Sequence, residues 1–272
     1  MIPEPMKPQA VVSAGLNRAA ELRATGRIED AAIELEKCVE AARATRYDIE
    51  FQTHVQLGMT MTDVYLLLER IDDARNFLKE ETAFAERISQ IMQATGTLNQ
   101  KRMATSGYLQ IRDRYTQACL LGEVAPDINL STWLVGSPFQ LADLRGRVVM
   151  LEFWATWCKP CQEAFPQLQA LYEQEAANGL EIVAITRHYL AYNGTPEAKA
   201  DELNLMRESV NKHKVTFPVG VTDNEQLQTI YGANGLPTVF LIDRGGIVRY
   251  AGPGIDDPIF KKHLQLCMAE VY

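Results

Sequence analysis

An all-helical half followed by an α/β half with a mixed, helix-flanked sheet is the fold class the sequence predicts, and three observations carry it. Residues 9–121 hold almost no strand signal; Ala, Leu, Glu, Arg and Gln dominate and glycine is rare, a composition of good helix formers. Beyond Gly122-Glu123-Val124-Ala125-Pro126-Asp127 the pattern changes to short apolar runs alternating with amphipathic segments, as strands joined by helices do. The last two runs, 238–242 and 247–251, flank Arg244-Gly245-Gly246 and read as an antiparallel hairpin.

The 272 residues suffice for two ordinary domains. Hydrophobic content of 47% and charged content of 23% are those of a soluble globular chain. A net charge of -8 argues against nucleic acid or an anionic membrane surface as the main partner. No apolar run reaches the length of a membrane span. The start, Met1-Ile2-Pro3-Glu4-Pro5-Met6-Lys7-Pro8, lacks the apolar core of a signal peptide, so the sequence as given predicts a cytoplasmic protein, or an extracytoplasmic one whose leader has been removed.

Residues 1–8, rich in proline, are expected to be disordered, and residues 9–121 to form a helical domain. A first helix ends at Thr25-Gly26 and a second starts at Ile28, with Ala31, Leu35, Cys38, Val39 and Ala42 on one face. Residues 47–68 and 71–92 repeat the pattern, and 98–121 form a last amphipathic segment that would cap the stack. An offset of 43 pairs Gly15 with Gly58, Leu22 with Tyr65, Ile28 with Ile71, Asp30 with Asp73, Ala31 with Ala74, Leu35 with Leu78 and Ala42 with Ala85. The order within a unit resembles the tetratricopeptide pattern, over a period longer than that family's roughly 34 residues. The second unit departs from it, with Glu69 in the place of Gly26 and Glu81 in that of Cys38. A plain helical bundle is the alternative, since helical periodicity alone produces partial matches.

In the second half, taken as 122–272, residues 128–133 and 139–141 are expected to pair as a hairpin across Gly136-Ser137-Pro138. Val148-Val149-Met150-Leu151-Glu152-Phe153 is a buried strand, and Phe165, Leu168, Leu171 and Tyr172 mark the apolar face of the helix after it. Then come a strand at 180–186, a charged helix at 196–213, a short strand at 217–221, a short helix at 225–231, the hairpin and a closing helix at 256–269.

The chemistry lies where the buried strand gives way to the helix, at Trp157-Cys158-Lys159-Pro160-Cys161. Free N–H groups at a helix start stabilise an anion, so the Cys158 thiol is expected to ionise readily and act as the nucleophile. Cys161, one turn on, is close enough to close a disulfide and resolve a mixed one. Pro160 suits the first turn, where N–H groups are unpaired. Cys158 should be the more exposed sulfur. Half of a zinc site is the alternative, but Cys38, Cys119, Cys267 and the four histidines supply no second paired motif. No metal or other cofactor is expected.

This stretch resembles the active site of the thioredoxin superfamily, and Phe153-Trp154-Ala155-Thr156-Trp157-Cys158, with Phe165-Pro166 downstream and Gly235-Leu236-Pro237-Thr238 further on, resembles its TlpA/ResA-like branch. The resemblance implies a thioredoxin fold over roughly 122–272 and a thiol-disulfide oxidoreductase acting on protein thiols and disulfides, with a reductant the expected direction. It implies that Glu152 relays a proton for the resolving cysteine, as a buried acid of raised pKa could. A glutamate facing solvent from an edge is the alternative. It implies a cis peptide bond before Pro237, with Trp157, Leu236 and Pro237 contacting substrate; an ordinary trans proline is the alternative. The branch commonly carries a glutamate three residues after the second cysteine, where this sequence has Ala164; Glu163 comes one residue earlier, about a quarter-turn away. The loop Arg187-His188-Tyr189-Leu190-Ala191-Tyr192-Asn193-Gly194 opens on the cysteine edge if its strand is parallel to the first, as a substrate lip or as a plain solvated loop.

Two other functions compete. A peroxiredoxin-type peroxidase needs Pro-x-x-x-Thr/Ser-x-x-Cys, and Leu151 and Ala155 stand in the first two places. A non-catalytic adaptor would use the helical domain to hold a peptide or protein partner, but would have no need of an intact cysteine pair.

Overall fold

The computed structural model describes residues 7–191 and 193–269. Residues 1–6, most of the segment expected to be disordered, lie outside them, as does Tyr192. Pro8, counted in that segment, is instead the first residue of helix α1, where its missing N–H removes no bond. The chain divides into two compact units, residues 1–118 and 119–272.

The first unit is built from α1 (Pro8–Ala24), α2 (Ile28–Ala44), α3 (Phe51–Leu67), α4 (Ile71–Thr95) and α5 (Leu98–Leu120), the last running past the unit's end. The 43-residue repeat is physical: adding 43 to Pro8 and Ala24 gives Phe51 and Leu67, the bounds of α3. The turns repeat as well. Arg27 and Arg70 N–H donate back to Leu22 O at 2.9 Å and Tyr65 O at 2.8 Å. Their guanidinium groups pair forward with Asp30 at 2.7 Å and Asp73 at 2.6 Å. Glu69 takes the left-handed conformation of Gly26, with φ of 58° against 75°, so the turn is kept although its favoured residue is lost. Val12, Leu16, Ala31, Leu35, Met61, Val64 and Leu78 fill the core between these helices.

The second unit carries a six-stranded sheet in the order β1-β4-β3-β2-β5-β6. Its strands are β1 (Thr132–Val135), β2 (Val148–Phe153), β3 (Leu180–Arg187), β4 (Val219–Thr222), β5 (Thr238–Ile242) and β6 (Val248–Gly252). β2, β3 and β4 are parallel; β1, β5 and β6 run antiparallel to their neighbours. Helices α6 (Lys159–Glu175), α7 (Pro196–Lys212), α8 (Gln226–Tyr231) and α9 (Pro258–Ala269) complete the unit. All six residues of β2 are buried, as a central strand between covered faces requires. Its Val148 and Met150 share one cluster with Cys158, Cys161, Phe165, Leu168, Met206 and Val210. This is the thioredoxin-type mixed sheet, preceded by an all-helical region.

One expectation is overturned. Residues 128–141 do not pair as a hairpin: β1 lies against β4 instead. Pro138 has no N–H to give, and the Gln140 N–H donates to Asp143 at 2.9 Å, closing a 3₁₀ turn over Leu141–Leu144. β4 also starts two residues later than the apolar run suggests, after Pro218. Among the described residues no helix is long and apolar enough to cross a membrane.

Candidate active site

β2 and β3 run in parallel, so β2 delivers residues 154–158 and β3 delivers residues 188–191 to one edge of the sheet. Antiparallel β5 begins at that edge, since Thr238 sits opposite Phe153. Leu236 and Pro237 therefore arrive where the cysteines are, and the peptide bond between them is cis. The trans alternative is excluded.

Cys158 is the N-cap of α6, and its sulfur accepts the Cys161 N–H at 3.3 Å. A helix start thus turns one of its unpaired donors onto the candidate nucleophile. The two cysteines form a disulfide with a Cα–Cα distance of 5.4 Å. Cys158 is the more exposed of the two by a thin margin, 3% against 0%; Trp157, which precedes it, is 57% exposed. The approach is tied down by Cys158 N–H to Ala155 O at 3.1 Å and Trp154 N–H to Ile185 O at 3.0 Å. The Gln162 side chain closes onto Thr156 O. Leu236 packs against the cluster that holds both cysteines.

Glu152 is buried, at 2% exposure, between Ala184 of β3 and Val239 of β5. Strand alternation puts it on the face of Val148 and Met150, the face of the cysteine cluster. The solvent-facing alternative is therefore excluded. Its Oε1 has no hydrogen-bond partner among the described residues, and burial holds its pKa well above the ordinary 4.5. Such an acid holds its proton to higher pH than a surface glutamate. Glu163 does not substitute for the acid the branch carries next to Phe165: it is 64% exposed at its side chain and faces Lys159 at 3.5 Å, while Ala164 packs on the core.

The loop after β3 reaches the residue beside Cys158. The Tyr189 ring meets Trp157 edge-on, with centroids 5.4 Å apart, and the Arg187 guanidinium covers Tyr189 at 4.3 Å. Burial raises the Tyr189 pKa, against the opposing pull of Arg187. Reasoning from sequence missed Glu202, which anchors this loop from α7. A signal was present: Glu202 shares a helix face with Met206, Ser209 and Val210, all buried. Among the described residues no three His, Cys, Asp or Glu side chains gather as a metal site.

Residues 121–251 match the AhpC/TSA family. The thiol-disulfide oxidoreductase ResA of Geobacillus thermodenitrificans is 33% identical over 166 residues, 60% of this chain and 88% of that protein. ResA of Bacillus anthracis is 36% identical over 129 residues, 47% of this chain and 66% of that protein. A thiol-disulfide isomerase from Corynebacterium glutamicum, solved as a crystal structure, is 21% identical and covers 55% of this chain and 98% of its own, with a TM-score of 0.46. A cysteine pair at the start of a helix on a thioredoxin-type sheet, together with identity across most of a ResA chain, places the protein: it belongs to the ResA-like thiol-disulfide oxidoreductases of the thioredoxin superfamily.

Proposed function

We propose that the protein reduces disulfides in other polypeptides through Cys158 and Cys161, with Cys158 attacking and Cys161 resolving. The observation that carries the assignment of roles is the Cys158 sulfur at the N-cap of α6, accepting the Cys161 N–H. In the reduced enzyme that donor and the helix terminus favour the thiolate on Cys158. The thiolate attacks one sulfur of a substrate disulfide; a mixed disulfide forms and the other substrate sulfur leaves as a thiolate that takes a proton from solvent. Cys161 then gives its proton to Glu152 and attacks the Cys158 sulfur, and the second substrate sulfur departs as a thiolate that is protonated in turn. Two electrons pass to the substrate and the Cys158–Cys161 disulfide remains. Buried Glu152, whose pKa burial holds well above the ordinary carboxylate value, has a raised proton affinity suited to that step. Trp157, Leu236 and Pro237 line the approach as the substrate-contacting residues, with Leu236 offering backbone groups to an extended peptide.

Cys161→Ser tests the roles directly. Incubated reduced with an oxidised protein, it should accumulate a covalent adduct that reductant releases; accumulation by Cys158→Ser instead would reverse the assignment. The equilibrium of the Cys158–Cys161 pair with glutathione gives the direction of transfer, since a low potential marks a reductant.

The first unit has a core of its own and contributes none of these groups, so its part in this reading is to dock a peptide or protein partner. A fragment beginning at Gly122 should then reduce insulin at close to the full-length rate and lose preference for the native client. An inactive fragment would mean that the helices help to build the site. The family resemblance favours an extracytoplasmic place of action, which fractionation of the native host would check.

A further inference from the structure

Tyr189 is not held in place by its own strand. β3 ends at Arg187, and residues 188–191 cross the active edge of the sheet with no strand or helix of their own. What fixes them is a carboxylate 11 to 14 residues downstream, Glu202 on α7. The backbone N–H groups of Tyr189 and Leu190 both donate to its Oε1 at 2.9 Å. The Ala191 N–H donates to Oε2 at 3.0 Å, and His188 Nδ1 lies 3.0 Å from the same oxygen. Each oxygen therefore has two partners, the full capacity of an ionised carboxylate. Glu202 is 3% exposed, and burial on its own would raise its pKa. The three N–H groups and His188 outweigh burial and hold it below the ordinary range, so the anion is fixed.

Three successive N–H groups converge on one carboxylate only where the backbone curls around it. The shape of the loop is thus set by the anion, and on that curl Tyr189 meets Trp157 at an interplanar angle of 88°. Edge-to-face ring pairs of this kind attract each other beyond what their buried area gives. Trp157 is more than half exposed and is bonded to Cys158. A tryptophan left open on one side holds a single orientation only where a neighbour braces it.

We propose that Glu202 is a positioning residue for the exchange reaction: by gripping residues 188–191 it seats Tyr189 against Trp157, and Trp157 so seated presents the Cys158 sulfur to a polypeptide disulfide. The inference rests on the function proposed above. Glu202 touches neither sulfur, so the bond-making steps proceed without it. Its loss weakens the docking of a polypeptide before and during attack alike, which raises KM and spares kcat.

The experiment compares the full-length wild type with Glu202→Gln, Tyr189→Ala and Glu208→Gln. Glu208 is an exposed acid on the same helix, so its variant controls for the change in charge. Reduction of a disulfide-bridged peptide is followed with dithiothreitol regenerating the dithiol. Glu202→Gln and Tyr189→Ala should each raise KM about tenfold, as the loss of one docking contact does, with kcat within about twofold. The double variant should be no worse than the worse single, because both remove one brace. Glu208→Gln should match the wild type. Enzyme labelled with 5-fluorotryptophan gives a second readout: the Trp157 fluorine resonance, identified by its loss in Trp157→Phe, should shift or broaden in Glu202→Gln. A wild-type KM together with an unmoved Trp157 resonance in Glu202→Gln would overturn the proposal. If Glu202→Gln fails to fold, an unchanged KM in Tyr189→Ala overturns it equally. A wild type that reduces no disulfide would overturn the function itself, while the resonance, which needs no turnover, still decides the brace.

Discussion

The floor and the rim of this active site each bury one glutamate, and the surrounding structure treats the two in opposite ways. Glu152, in β2, is 2% exposed with an unpartnered Oε1, and burial alone pushes its pKa up. Glu202, on α7, is 3% exposed with four partners on its two oxygens, and its pKa goes down. Residue type and depth are the same, so the donors make the difference. A buried acid becomes a base near neutrality only if it is left without donors; surrounded by them, it becomes a permanent anion around which backbone can be shaped. Burial by itself is therefore a poor guide to catalytic function, and the count of donors is a better one.

The largest effect that would sharpen this contrast is on stability. Glu202→Ala leaves three backbone N–H groups without their acceptor and should lower the free energy of unfolding by about 3 kcal/mol. Glu152→Gln removes a carboxyl that nothing stabilises in its charged form, and should lose no stability at neutral pH. Denaturant titration of both variants measures this, and equal losses would erase the distinction.

Next in size is the rate. Resolution of the mixed disulfide should slow on the order of 10²-fold in Glu152→Gln, the usual cost of a general base. Glu202→Gln should leave that step nearly unchanged. In the wild type the step should slow as the pH falls below the raised pKa of Glu152, and in Glu152→Gln it should lose that dependence. Single-turnover release of a trapped peptide thiol follows it. Were Glu202→Gln the slower of the two, the rim and not the floor would be handling the proton.

How far the molecule could be read from its sequence follows the same division between local and distant causes. The cysteine pair and the helix after it declare themselves within a few residues, Trp157 to Cys161, because helix starts are local devices, whereas the cis bond before Pro237 is a minority state that only the family resemblance of Gly235 to Thr238 implied. The repeat was legible too, since Asp30 and Asp73 mark equivalent turns. The hairpin expected before β2 failed because Asp143 claims the Gln140 N–H, and apolar patterning does not report such a bond. Glu202 could be placed on the apolar face of its helix with Met206 and Val210, but its contact with the loop was beyond the pattern for a different reason. Pro196-Glu197-Ala198-Lys199-Ala200-Asp201-Glu202 offers three acids, and only the fold reveals which one meets a loop 11 to 14 residues earlier.

The smallest effect is the most diagnostic, because the two glutamates should tilt the pH dependence of stability in opposite senses. For Glu152 the folded pKa lies above the unfolded one, close to 4.5. Above pH 4.5 the unfolded chain has given up this proton while the folded chain still holds it, so stability falls as the pH rises toward the folded pKa. For Glu202 the folded pKa lies below the unfolded one. Its contribution is complete above the unfolded value and is lost as the pH falls through the folded value. A single group changes stability by at most about 1.4 kcal/mol per pH unit, so differences between variants carry the signal. The melting temperature of Glu152→Gln relative to wild type should rise between pH 4.5 and neutrality. The deficit of Glu202→Gln should be full at neutral pH and shrink only in acid, once the wild-type carboxylate takes up its proton. Melting curves at four or five pH values, with salt held constant, separate the two trends. Parallel trends would show that the donors around Glu202 do not offset its burial, and the floor and the rim would then be the same kind of site.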